Sequence, residues 1–245
     1  MRWSRLLLLG ALWCPGASAQ LLIDPNLNTW FSLYSENPIG DTRFTLVAHG
    51  HYRRNRILAE PQQYLIRTGL YFRPTSKFTF GGGHVLSHIY RFPDYAGPYP
   101  LDEQRAWQDF TLRTPLGKRI TLTNRIRLEQ RFLAEKNGDP PGTVTGYQFE
   151  NRFRHLGRVT FALGRGYNLS LGNELWMPSY PNTHPRTVEQ NRPQISIGKR
   201  VHKYWRVEAM YMLQQIWQPN GRVRQDNHTM WFQLFCEVPI FQKKK

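Results

Sequence analysis

Cysteine and long apolar runs are both scarce in this sequence. Cys14 and Cys236 are the only two thiols among 245 residues. Cys14 falls in an N-terminal stretch with the marks of a cleaved leader, and one remaining thiol can form neither an internal disulfide nor a zinc site of several cysteines. Beyond that leader no apolar stretch approaches the ~18 residues that a transmembrane helix needs, which excludes a helical membrane protein. Acidic residues are few, 17 against 33 Lys and Arg, and lysine is the minor cation, with 8 Lys to 25 Arg. Charged residues of both signs reach only 20%, so a charge-rich disordered chain is excluded as well. No stretch carries a helical apolar stripe, and no shift in composition marks a domain boundary. What is present is aromatic and basic: 14% Phe, Trp and Tyr, and a formal net charge of +16. The mean hydropathy of -0.58 would argue against a membrane protein, but such an average merges two faces of a strand that can meet different solvents.

Residues 1–19 are an expected secretory signal peptide. Arg2 and Arg5 make a positive start, Leu6 to Trp13 an apolar run of the right length, and Ala17-Ser18-Ala19 a small-x-small cleavage pattern. The mature chain, 20–245, then reads as one domain, with 31 basic and 17 acidic residues and a net charge of +14 once Arg2 and Arg5 are removed.

The mature chain alternates with a period of two, the signature of strands with unlike faces. In 118–135, Ile120, Leu122, Ile126, Leu128 and Phe132 share one parity, and Arg119, Arg125, Arg127, Glu129 and Arg131 share the other. In 147–163, Phe149, Phe153, Phe161 and Leu163 oppose Glu150, Arg152, Arg154 and Arg158. In 203–217, Trp205, Val207, Ala209, Tyr211 and Leu213 oppose Arg206, Glu208, Met210, Met212 and Gln214. Weaker alternation runs through 43–53, 64–73, 78–90, 105–113, 169–176, 192–199 and 228–240. These ten segments suit the even strand count usual in bacterial barrels. An eleventh, 29–36, implies either a segment outside the wall or a further early strand.

Connections alternate in length as well. Short turns at 73–77, 115–117, 165–167 and 200–202 alternate with longer Pro- and Gly-rich loops at 91–104, 135–144, 177–190 and 218–226, with a smaller one near 54–62. This pattern predicts an all-β fold, an antiparallel up-and-down barrel of about 10–12 strands. A soluble barrel or secreted β-sandwich binding module would turn its charges outward, whereas a transmembrane barrel turns them into the lumen. Arginine forks suit a crowded interior better than lysine does. Aromatics also gather at both strand ends: Tyr90, Phe92, Phe132, Tyr147, Trp176 and Trp217 at one, Tyr71, Phe72, Phe78, Tyr204 and Trp205 at the other. Two such girdles and the alternating connections favour a bacterial outer-membrane barrel with short periplasmic turns and long external loops.

The run Arg125-Ile126-Arg127-Leu128-Glu129-Gln130-Arg131-Phe132 resembles the family catalogued as domain of unknown function 2490. So do 148–154, Asn173-Glu174-Leu175-Trp176 and the 190–215 stretch, and the likeness spans nearly the whole mature chain. It implies a signal peptide and an outer-membrane β-barrel, and no activity, cofactor or catalytic residue. The end of the chain departs from the usual terminal aromatic, since Phe241 is followed by Gln242 and three lysines.

The chemical constellation is therefore the expected lumen lining: Arg119, Arg125, Arg127, Glu129, Arg131, Glu150, Arg152, Arg154, Arg158, Glu174, Arg192, Arg206 and Glu208. It serves either as salt-bridged packing or as the wall of a narrow, anion-preferring pore. A rival reading is a lipid hydrolase with a rim site drawn from Ser87, His88, His84, Asp94 and Asn227-His228, but adjacent Ser87 and His88 point to opposite faces of a strand and no Gly-x-Ser-x-Gly elbow occurs. His49 and His51 share a face without a third metal ligand, and Gly81-Gly82-Gly83 reads as a close backbone approach rather than a phosphate loop. No cofactor is expected. The cations are spread singly rather than in a patch, which speaks against nucleic acid. Expected partners are outer-membrane lipid and, at the external loops, anionic lipopolysaccharide meeting Arg54, Arg56, Arg186, Arg222 and Arg224 with salt-sensitive affinity; a monomer is favoured.

Overall fold

A computed structural model describes residues 21–91, 99–138, 140, 142–179, 186–219 and 221–241. The signal segment 1–19 lies outside them. The described residues form eleven strands and no helix: β1 (Leu22–Pro38), β2 (Phe44–Asn55), β3 (Glu60–Phe72), β4 (Phe78–Ile89), β5 (Leu101–Pro115), β6 (Ile120–Lys136), β7 (Val144–Gly164), β8 (Tyr167–Pro178), β9 (Gln190–His202), β10 (Trp205–Trp217) and β11 (Val223–Cys236). Each strand pairs antiparallel with its neighbours in sequence, and β1 closes the barrel against β11. The two-sheet sandwich is thereby set aside.

Eleven strands fall within the expected 10–12, and closure corrects only the preference for an even total. Residues 29–36 are the middle of β1 and belong to the wall. In an up-and-down meander successive strands reverse direction, so an odd total leaves the first and last pointing the same way. Accordingly β1 and β11 pair parallel, from Leu22 opposite Val223 to Ser35 opposite Cys236. Parallel pairing is slightly weaker per residue, and here the register is long. It continues beyond β11, where Ile240 N donates to Pro38 O (2.9 Å) and Gly40 N donates to Ile240 O (2.8 Å).

The short connections 39–43, 73–77, 116–119, 165–166 and 203–204 lie at one end of the barrel. The other end carries 56–59, 90–100, 137–143, 179–189 and 218–222. Three of these five are long. The strands run further into 91–104 and 218–226 than alternation suggests, because polar residues on an inward face lack the apolar contrast that marks a strand.

The period of two places apolar side chains outside and polar ones inside. Ile66, Leu86, Leu128, Leu171, Ile197, Val207 and Phe232 stand exposed on the outer surface. Arg67, Arg105, Asp109, Arg127, Glu129, Arg152, Glu174 and Arg192 are buried within. An exposed apolar surface this extensive is foreign to a soluble monomer. The glycines of β3 and β4 show why the interior closes on that side. Gly69 faces Gly83 across the ladder, and the Trp107 indole lies over them, its Nε1 donating to Thr68 O (3.2 Å). A Cβ on Gly69 would stand 2.4 Å from Trp107 Cζ2, and one on Gly83 only 2.0 Å from Thr68 O. The close approach expected at 81–83 is thus that of the neighbouring strand and of an inward-facing indole.

Candidate functional site in the barrel interior

The lumen is a cavity of about 550 Å³ lined by thirteen arginines. Its most buried carboxylates are each shared between two or more guanidinium groups. Asp109 accepts from Arg127 through Nε and Nη2 (2.5 and 2.7 Å), from Arg67 (2.8 Å) and from the Tyr71 hydroxyl (3.1 Å). Glu103 accepts from Arg105 (2.6 Å, twice) and from Arg131 (2.5 Å), which also reaches Glu150 (2.7 Å). Glu129 accepts from Arg152 (2.5 Å) and Arg154 (2.8 Å). Glu174 takes Arg154 (2.8 Å), Arg125 (2.6 Å) and the Trp176 indole N–H (2.9 Å). Nearer the short turns Glu208 accepts from both Arg158 and Arg206.

The ladder registers explain these meetings. Asp109 stands opposite Arg127, Glu129 opposite Arg152 and Arg131 opposite Glu150 on adjoining strands. Directly opposed side chains on one face are within reach of each other. Each pair therefore forms when neighbouring strands zip in register.

Twelve of the thirteen expected lining residues point into this network. Arg119 does not. It is exposed in the 116–119 turn, one residue before β6 begins, where strand parity no longer dictates direction. Further lining residues escape the sequence reading: Arg53, Arg67, Arg105 and Arg113 on β2, β3 and β5 and Arg73 just past the end of β3, with Glu36, Glu103 and Asp109 beside them. Their shared odd parity within β2, β3 and β5 was the available signal. Two girdle assignments are corrected. Trp176 and Tyr71 are buried inside the barrel, and Trp176 lies beneath Arg192, Arg152 and Arg154 at 3.4, 4.1 and 4.1 Å from guanidinium carbon to ring centre. Phe92 is outside the described residues.

Ser87 and His88 do turn to opposite faces. Ser87 is inside and accepts from Gln63 Nε2 (2.5 Å), whereas His88 pairs with Asp102 (2.5 Å) on the outer surface and stacks on Tyr64. His228 shares a hydrogen bond with the Tyr211 hydroxyl (2.7 Å), and Asp94 lies outside the described residues. His49 and His51 both face inward around the Tyr34 ring, with His49 3.6 Å from Glu36 and His51 Nδ1 2.7 Å from Ser32 Oγ. Among the described residues no group of three or more His, Cys, Asp or Glu is placed to hold a metal. Of the loop cations, Arg56 pairs with Glu60, Arg224 with Asp226, and Arg54 donates to Leu58 O and Ala59 O.

The family model described as "Protein of unknown function (DUF2490)" matches residues 27–225. The chain belongs to this family. The matched DUF2490 region runs from β1 into β11, so it takes in nearly the whole wall and every network residue named above. No curated protein matches the chain. A solved structure described as "NanC porin structure in rhombohedral crystal form" aligns over 78% of this chain and 83% of its own, at 10% identity and a TM-score of 0.44.

Proposed function

We propose that this DUF2490 protein is an integral outer-membrane barrel, delivered by cleavage near Ala19, whose lumen is a narrow path that prefers anions. The observation that carries the reading is the reversal of faces: apolar side chains stand exposed all round the wall, and thirteen arginines line the cavity within. Lipid is the solvent that accepts such an exterior. Inside, guanidinium groups outnumber the carboxylates that hold them, and cationic linings of this kind select anions in channels. No catalytic step is assigned. Arg56, Arg186 and Arg222 in the connections, with Arg54 at the end of β2 and Arg224 at the start of β11, belong to the side where anionic lipopolysaccharide would be met.

The test is conductance of the purified protein in planar bilayers under a salt gradient. Discrete openings with a reversal potential on the anion side are expected. A cation preference overturns the reading. Absence of conductance favours a second reading, a barrel whose ion-pair lattice serves as packing; that reading draws on the burial of Glu103 and Glu129, which are 1% and 2% exposed.

A further inference from the structure

The lumen arginines are not equally satisfied. Ten of the thirteen meet a carboxylate directly. Arg53 and Arg192 are held differently, and in the same way as each other. Arg53 on β2 lies over the Trp30 ring, its guanidinium carbon 3.9 Å from the ring centre, and donates through Nη1 to Gln63 Oε1 (2.5 Å). Arg192 on β9 lies over Trp176 at 3.4 Å and donates through Nε and Nη2 to Gln190 Oε1 (3.1 and 2.6 Å). Each guanidinium is clamped by an indole face and a glutamine amide. Such a clamp fixes direction without cancelling charge. The nearest carboxylate to Arg192, Glu174, is 4.0 Å away and already engaged by Arg154 and Arg125.

The clamps are themselves braced. Gln190 Oε1 accepts a further hydrogen bond from Gln214 Nε2 (3.0 Å), and the Trp30 indole donates to Gln62 Oε1 (2.7 Å). Arg53 and Arg192 repel one another across the lumen, and both feel Arg152 and Arg154. Donors remain unmatched there. Among the described residues Arg53 Nε has no acceptor, and on the same cavity wall the buried Gln225 Nε2 has none. A buried donor left without an acceptor costs about 1–3 kcal/mol. Arg67, Arg73 and Arg125 also leave Nε without an acceptor, but each meets a carboxylate through Nη2, whereas Arg53 and Arg192 are hydrogen-bonded, among the described residues, only to glutamine amides.

We propose that the lumen holds a binding site for a small oxyanion, a carboxylate or phosphate group, seated between Arg53 and Arg192. Planar forks match the spaced oxygens of such a group better than they match a spherical halide. The cavity, about 550 Å³, is of the size that takes a small organic anion. Arg113 does not qualify in the same way, because it donates to Thr79 Oγ1 (3.2 Å) and no aromatic ring or amide clamps it. The site rests on the reading of the lumen as an anion path and names where that path would select.

Equilibrium binding to the folded full-length protein in detergent micelles tests the site without requiring conduction. Sodium phosphate and sodium gluconate are titrated separately by calorimetry at low salt, and again with added chloride. Saturable one-to-one binding of at least one of them is expected, with phosphate alone or gluconate alone naming the oxyanion. The double variant Arg53→Gln, Arg192→Gln should lose at least about tenfold in affinity. Lys118→Gln, which removes a charge from the exposed 116–119 turn, should bind as the parent does. Heat-modifiable gel mobility reports whether each variant is folded. Should the double variant fail to fold, Arg53→Lys keeps the charge, loses the fork and is expected to bind more weakly than the parent. No binding of either anion to the parent protein overturns the site, as does undiminished binding by a folded double variant. Conductance separates this outcome from that of the pore: anion-selective current without binding refutes the site alone, and binding without current refutes the path alone.

Discussion

The barrel has two unlike arcs. From β5 to β9 the inward positions carry Glu103, Arg105, Asp109, Arg127, Glu129, Arg152, Arg154, Glu174 and Arg192, a charged lattice of hydrogen-bonded clusters with looser ion pairs of 4.0 Å at Arg105–Glu129 and Arg192–Glu174. Around the seam, β10, β11 and β1 instead present Met210, Met212, Asn227, Thr229, Trp231, Trp30 and Ser32, with Glu36, Arg206 and Glu208 confined to the short-turn end. There Trp30 meets Trp231 edge to face at 5.3 Å, and the Trp231 indole donates to Ser32 Oγ (2.8 Å). The difference follows the order of closure. Pairs such as Glu129–Arg152 join strands that are neighbours in sequence, so their charges can meet as each hairpin forms. The seam joins the chain ends, from Leu22 opposite Val223 onwards, and beyond Asp24, Arg224 and Asp226 at its start it brings together uncharged side chains, from Asn26 opposite Asn227 to Ser35 opposite Cys236. No buried charge in the lattice waits for the seam to close before it finds a partner.

Neutralising the lattice should therefore do the most damage. Glu129→Gln removes the negative charge shared by Arg152 and Arg154, in a place water cannot reach. Breaking a buried pair from one side costs about 3–5 kcal/mol, mostly because the remaining charges stay buried. Unfolding by urea in detergent micelles should show that loss, together with a lower temperature for the heat-modifiable shift. A loss below about 1 kcal/mol would mean that the lattice behaves like a solvated surface pair.

The next effect is steric and lies at the edge of the charged arc. Gly83→Ala sets a methyl 2.0 Å from Thr68 O, a backbone atom, so the β3–β4 ladder must shift. About 1–3 kcal/mol is expected from overpacking of this kind. Gly50→Ala is the matched control: its new Cβ meets nothing within 4 Å. The same unfolding assay should find it unchanged or slightly stabilised. Equal losses at the two positions would remove close approach as the reason for the glycines on β3 and β4.

Much of the charged arc was legible in the sequence, because it lies on long strands where Arg and Glu alternate strictly with Leu, Ile and Phe. Residues 125–131 and 150–158 show this most plainly. The other arc was not. On β1 and β11 the inward face is Asn, Gln, Ser and Thr, and polar residues at both parities blur the period of two. The parallel seam was hidden for the same reason, since counting ten clear strands made an even barrel look natural. Trp176 and Tyr71 misled in another way. An aromatic near a strand end satisfies the girdle pattern whichever face it occupies, and only parity, opposite to that of Leu175 or Leu70, marks it as internal. Arg119 shows the converse limit, because parity loses meaning one residue outside the strand. Arg53 lies on a strand whose neighbours, Gly50, His51 and Tyr52, offer little apolar contrast.

The smallest expected effect belongs to the neutral seam and sharpens the contrast from the other side. Met212 is buried beside Trp30 and Met210, and it takes part in no ion pair or hydrogen bond among the described residues. Its contribution there is volume, and Leu nearly conserves that volume. Met212→Leu should therefore cost less than about 1.5 kcal/mol in the same unfolding assay. Glu129→Gln is also nearly isosteric, yet it should cost at least twice as much. The two substitutions change side-chain size by little, so the gap between them isolates charge from packing. Similar losses would show that the arcs are held by the same packing forces and that the lattice adds only lining.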